Sequence, residues 1–257
     1  MAAYDFAATR LFVEAPLATG ASVPISGDRA NRLLNVLRLR DGAEICVFNG
    51  IHGEWRARLT DTTRKAAVLH VAEQLRPQAA GPDIDYCFAP LKHARLDYLV
   101  QKATEMGTRR LRPILTRRTQ VSRINLDRMR ANVIEAAEQC GVLALPEVLD
   151  ETTLERALRD WDAERRLVFC DENAEIADPF AALRAAPTAG KWALLIGPEG
   201  GFDESERAAL TAHPATTAIS LGPRILRADT AGVAALAILQ TIYGDWRVRS
   251  SPDTILP

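Results

Sequence analysis

Two stretches of the chain end an apolar run in Gly-Pro and then turn polar. They are "WALLIGPEGGF", Trp192 to Phe202, and "LGPRILRADT", Leu221 to Thr230. The first spends Gly197, Pro198, Glu199, Gly200 and Gly201 on consecutive positions. Glycine carries an entropic cost, so three in five residues imply tight backbone angles or close approach of another group. Asp203 and Glu206 follow at capping-box spacing, which predicts a helix from about Glu204. A glycine loop opening a helix directs free N–H groups at an anion or cofactor. A bland tight turn is the other reading. The G-K-[ST] ending of a P-loop is missing, and so is G-x-G-x-x-G with a distant acid. The second stretch carries Arg224, Arg227 and Asp229. A fixed arginine can stabilise negative charge that develops on a carbonyl, and a neighbouring carboxylate can orient it or relay a proton. Asp229 can also serve simply as a helix N-cap.

These turns need a frame that places them on one rim. From Asp83 onward apolar strands alternate with helical patterns: "IDYCFAPL", "ARLDYLVQKATEMG", "RRLRPILT", "LDRMRANVIEAAEQCG", "RRLVFCDE", "KWALLIGP" and "TAISLGP". Alternation of this kind predicts a mostly parallel sheet covered by helices, with ligands beyond the carboxyl ends of the strands. Residues 10 to about 75 read instead as short strands with one helical patch, "DRANRLLNVLRL". The expected division is a small β-barrel over 1–76, a linker over Arg76 to Pro82, and an α/β domain over 83–246.

The net charge of −1 means that a polyanion must be met by a local patch. Residues 101 to 130 supply one, with nine basic residues against Glu105 and Asp127. Such a run is a solvated face or a phosphate-contacting surface. Four dispersed cysteines and four dispersed histidines give no metal-ligand spacing, so no metal is expected. Asp5 and Arg10 interrupt the first apolar stretch, which is no signal peptide, and no run reaches transmembrane length. The reading is a soluble, cytoplasmic protein with reduced thiols.

"LLIGPEGGFDESE" followed by "LGPRILRADTA" resembles the ribosomal RNA uracil-N3 methyltransferases of the SPOUT superfamily. Three further segments agree: "LVQKATEMG", "EAAEQCG" and, near the N-terminus, "NVLRLRDGAEI". The resemblance covers residues 10 to about 245. It implies an α/β methyltransferase domain with a deep trefoil knot, an N-terminal PUA-like RNA-binding barrel, and a homodimer. It implies S-adenosylmethionine as cofactor and a uridine of 16S ribosomal RNA, in an assembled or nearly assembled small subunit, as substrate. By the same resemblance the cofactor is held by Leu195, Ile196, Gly197, Pro198, Glu199, Gly200 and Gly201. It is also held by Leu221, Gly222, Pro223, Ile225 and Leu226, and by the end of the "FCDE" strand. Arg227, Arg224 and Asp229 are the expected catalytic residues. Arg10, Arg32, Arg38, Lys92, Arg117, Arg118 and Arg123 are expected to contact RNA. The chain departs from the family pattern at Ala228 and Asp229, where Thr-Glu is usual, at Arg32 for histidine, and at Val142 for arginine. Two other functions fit the fold: a methyltransferase of ribose 2′-hydroxyls or transfer RNA, and a non-catalytic RNA-binding assembly factor.

Overall fold

The computed structural model describes residues 7–92, 94–121, 123–174, 178–187 and 190–247. The first six residues and the C-terminal tail lie outside this set. The chain forms two units, one running to Ala80 and including Ala137–Leu145, the other comprising Gly81–Ala136 and Pro146 onward.

The first unit is built on a five-stranded sheet. Its strands are β1 (Arg10–Phe12), β2 (Ser22–Ser26), β3 (Glu44–Phe48), β4 (Glu54–Thr60) and β5 (Ala66–Arg76), in the order β1-β3-β4-β5-β2. β1 is parallel to β3 and the other pairs are antiparallel. Alternation in β2 (exposed, buried, exposed, buried, exposed) puts Val23 and Ile25 into the core, as one wet face requires. The helical patch divides: α1 (Gly27–Asn31) widens into a π-helical turn over Arg32–Val36, and Arg38 then takes a left-handed φ of 57°. Ala30, Leu33 and Leu34 face the core while Val36 and Leu37 stay exposed. Ala137 and Leu143 pack with Phe48, which places the end of the "EAAEQCG" stretch in this unit. The expected boundary at 76–83 has no such return segment, because a helix that runs between units carries no local signal of where its far end packs.

The second unit is a seven-stranded parallel sheet. β6 (Ile84–Phe88), β7 (Arg110–Leu115), β8 (Glu147–Val148), β10 (Arg165–Cys170), β11 (Lys191–Ile196) and β12 (Thr216–Ile219) lie in the order β12-β10-β11-β6-β7-β8, and β9 (Thr152–Thr153) pairs with β7. β6 is buried throughout and β11 nearly so, as expected of parallel strands covered on both faces. The helices are α2 (Ala94–Glu105), α3 (Leu126–Cys140), α4 (Leu154–Arg159), α5 (Pro179–Ala185), α6 (Glu204–Ala212) and α7 (Ala228–Tyr243). α7 packs against α2, α5 and β11. Its Gly232 allows the approach, since a side chain there would run into the Tyr86 hydroxyl. No helix among the described residues is long and apolar enough to cross a membrane.

Candidate active site at the carboxyl edge of the parallel sheet

The chain runs β6, β7, β8 to one side, then returns to place β10, β11 and β12 on the other. Ligand sites of open parallel sheets form beyond the carboxyl ends at such a reversal. Here the ends of β10, β11 and β12 border a cavity of about 470 Å³. Its walls are the β10 end (Cys170 to Ala174), the first Gly-Pro turn and the second.

The first turn is tightly held. The Gly201 N–H donates to the Pro198 carbonyl at 2.9 Å, and φ of Gly201 is +68°. A side chain at Gly201 would strike the Glu172 carboxylate, and one at Gly197 would strike the Phe202 ring. The capping box predicted from Asp203 and Glu206 is formed: the Glu206 N–H donates to Asp203 Oδ1 at 2.8 Å, and the Asp203 N–H to Glu206 Oε2 at 3.2 Å. The Glu206 N–H, the Ser205 hydroxyl and nearby Arg117 together hold the Asp203 carboxyl below its ordinary range. Ile196, Gly197, Pro198, Glu199 and Gly201 all border the cavity. Leu195 and Gly200 do not. Leu195 points into the core with Phe169 and Ala193, because β11 alternates sides, and Gly200 faces outward toward Arg118.

The second turn is loosely held. The Gly222 N–H donates to Ser220 Oγ at 3.2 Å; φ of Gly222 is +98°, and open space lies where a side chain would begin. Leu221, Gly222, Pro223, Arg224, Ile225, Leu226 and Arg227 border the cavity. Arg224 and Arg227 are exposed, and neither forms an ion pair with a described residue. Ile225 between them is 96% exposed. Arg227, rather than Asp229, is the N-cap of α7. Asp229 sits in the first turn and accepts from the Thr230 N–H at 2.9 Å, so the simple N-cap reading of Asp229 does not hold.

The end of the "FCDE" strand, expected at the cofactor, forms one wall of the cavity; no local pattern showed how it is held. Asp171 is buried, bound by Arg207 Nε at 2.8 Å, and accepts from the Asn173 N–H at 3.0 Å, which shapes the turn that presents Glu172. Asp171 and Arg207 stand 36 residues apart, beyond any local pattern. Burial pushes the Cys170 thiol well above its ordinary value, leaving it a neutral wall rather than a nucleophile. Behind the wall, the Tyr86 hydroxyl is buried without a hydrogen-bond partner among the described residues.

The residues expected at RNA separate into groups. Arg10 is a correction: it is buried, and its Nε donates to Glu54 Oε1 at 2.9 Å, an acid also held by Arg76 at 2.8 Å. Glu54 is itself buried, so the pair neutralises charges that water cannot reach. Arg32 is bonded to the buried carboxylate of Glu138, which also accepts from the Phe12 N–H at 2.8 Å. Arg117 and Arg118 are exposed but reach Asp203 (3.2 Å) and the Gly200 carbonyl (2.8 Å) respectively. Arg38, Lys92 and Arg123 are exposed. The basic run itself is largely compensated. Arg110 and Arg112 clasp the fully buried Asp85, and Lys102, Arg109, Arg128 and Arg130 each meet an acid.

The RNA methyltransferase domain family matches residues 79–240, and an RNA methyltransferase PUA domain matches residues 25–72. The chain belongs to this family of RNA methyltransferases. It is 30% identical over 91% of its length to the ribosomal RNA small subunit methyltransferase E of Synechocystis, covering 78% of that protein. It is 27% identical to the Rickettsia conorii protein of the same name, over 89% of this chain and 93% of that one. The crystal structure of ribosomal RNA small subunit methyltransferase E from Neisseria gonorrhoeae bound to S-adenosyl methionine superposes with a TM-score of 0.83. The match has 29% identity over 93% of this chain and 99% of that one.

Proposed function

We propose that the protein methylates N3 of a uridine in the 16S ribosomal RNA of the small subunit, using S-adenosylmethionine. The observation that carries this reading is the cavity between the two Gly-Pro turns, with two uncompensated arginines at its mouth. Its volume lies in the range of small-molecule sites. The first turn is stripped of side chains where backbone must approach, and Glu172 and Glu199 offer carboxylates to a cationic, hydroxyl-bearing ligand. When bound, S-adenosylmethionine supplies an electrophilic methyl group on a sulfonium. Gly197 to Glu199, Gly201 and Leu221 to Leu226 hold it.

Uracil N3 carries a proton that is only weakly acidic at neutral pH, so the chain must stabilise the imide anion or take the proton. Arg227 donates to a uracil carbonyl beside N3 and offsets the charge that develops there, with Arg224 as the second donor. Asp229 orients Arg227 or relays the N3 proton. The enzyme works in the cytoplasm as a homodimer, with its α/β unit knotted and the PUA domain assisting RNA binding. Its substrate is the assembled or nearly assembled subunit. The test is transfer of radiolabelled methyl groups to small ribosomal subunits lacking the modification, followed by nucleoside analysis. Label in 3-methyluridine supports the assignment. Label on a ribose, or on nothing, overturns it.

A further inference from the structure

The cofactor turn is braced from outside by the loop that follows β7. Three contacts converge there from a segment more than 80 residues away in sequence. The Arg117 N–H donates to Glu206 Oε1 at 2.8 Å, so one buried carboxylate closes the capping box with one oxygen and anchors the β7 loop with the other. Arg117 Nε lies 3.2 Å from Asp203 Oδ2. Arg118 Nη1 donates to the Gly200 carbonyl at 2.8 Å, and its aliphatic stem lies along Gly200, within 3.5–3.6 Å of where a side chain would begin. The loop is stiffened at its root, where the Thr116 N–H donates to Thr119 Oγ1 at 2.9 Å and the Thr119 N–H returns to the Thr116 carbonyl at 3.1 Å. From the neighbouring helix α2, Arg95 reaches Glu199 at 3.6 Å. The loops after β7 and β11 and the first turn of α2, which follows β6, are thereby tied across the carboxyl edge of the sheet.

We propose that Arg118 is a positioning residue for the cofactor turn, held to Gly200, and that Arg123, further along the same loop, is its phosphate ligand. The inference rests on the reading of the cavity as the S-adenosylmethionine site. The Gly200 carbonyl holds Arg118 Nη1 against the turn, so a phosphate that drew this side chain away would loosen the turn the cofactor needs, and by linkage would cost each ligand affinity for the other. Arg123 carries no such conflict: it is exposed and forms no ion pair with a described residue.

Calorimetric titration with S-adenosylmethionine, and anisotropy titration with an RNA hairpin across a salt series, separate the two arginines. Arg118→Ala is expected to weaken cofactor binding roughly three- to tenfold, the range of one ordinary hydrogen bond. Its RNA affinity and salt slope should stay at wild-type values. Arg118→Lys, which keeps a donor within reach of the carbonyl, should recover most of the loss. Arg123→Ala should do the reverse, lowering the salt slope by about one unit and leaving cofactor affinity alone. Wild-type cofactor affinity in Arg118→Ala with a shallower salt slope overturns the proposal. So does parallel loss of both ligands, which would mean the side chain serves the loop as a whole. Should Arg118→Ala not fold, Arg118→Gln goes through the same two titrations under the same criteria. A wild-type protein that binds no S-adenosylmethionine instead overturns the reading of the cavity, and this inference with it.

Discussion

The two Gly-Pro turns share a rim and a sequence signature but differ in how they are held. The turn after β11 is fixed by a capping box, by Glu206 on a neighbouring loop's backbone, and by Arg95, Arg117 and Arg118. Among the described residues the turn after β12 has one weak bond, to Ser220, and carries Arg224, Ile225 and Arg227 into solvent. One is a floor and the other an open jaw. The division suits methyl transfer, in which the donor must be held in a fixed pose while the groups that meet the acceptor stay free until it arrives. It also teaches how arginines should be read. A guanidinium already satisfied by a carboxylate or carbonyl is part of the scaffold, and one left uncompensated beside a cavity is available for chemistry.

The largest effect that tests this contrast lies in the open jaw. Arg227→Lys keeps the charge but loses the planar fork, so turnover should fall about 10²–10³-fold with cofactor affinity unchanged. Single-turnover methylation and calorimetry read the two quantities separately. Near-normal turnover would take Arg227 out of the mechanism. A smaller effect compares the turns directly through one glycine of each. Gly197→Ala drives a methyl into the Phe202 ring, which packs edge-on against buried Phe169, and should cost about 2–3 kcal/mol of stability. Gly222→Ala meets open space and should cost only strain, about 1–2 kcal/mol. Urea midpoints measure both, and equal losses would erase the distinction between floor and jaw.

Much of the frame was legible in sequence because its signals are local. The Asp203 and Glu206 spacing marks the start of α6, where the helix does begin, and the alternation after Asp83 marks the parallel sheet. Gly107 and Gly141 take positive φ just past the ends of α2 and α3, as glycines that close helices do. What escaped was pairing over distance. Nine basic residues in thirty suggested a phosphate surface, yet Arg110 and Arg112 are committed to Asp85, more than twenty residues upstream. Arg10 belongs to Glu54 across 44 residues, and no window of sequence links them. The two-residue strands β8 and β9 and the short helix α4 were missed for another reason. Elements so brief are set by packing on their neighbours rather than by periodicity.

The smallest expected effect concerns β6, which lies between the two braced loops and carries a buried phenol, Tyr86, and a buried thiol, Cys87. Burial pushes the Cys87 thiol up to about 12, and pushes the Tyr86 phenol beyond its ordinary range, with Cys170 and Asp229 adding to the shift. A group whose folded pKa is raised adds stability that is complete below its unfolded pKa and is lost as pH rises toward the folded value. For Cys87 that window runs from roughly 8.5 to about 12, and for Tyr86 it opens near ~10. Stability should therefore be flat to about pH 8 with respect to these two groups. Above that it should fall by up to roughly 1.4 kcal/mol per pH unit for each group in its window. Tyr86→Phe removes a hydroxyl that has no partner among the described residues, so at pH 7 it should change stability by less than about 1 kcal/mol. Above pH 10 the variant should lose stability less steeply than wild type. Urea unfolding from pH 7 to 11 follows both, and a variant markedly destabilised at pH 7 would mean that the hydroxyl does hold the sheet to α7 after all.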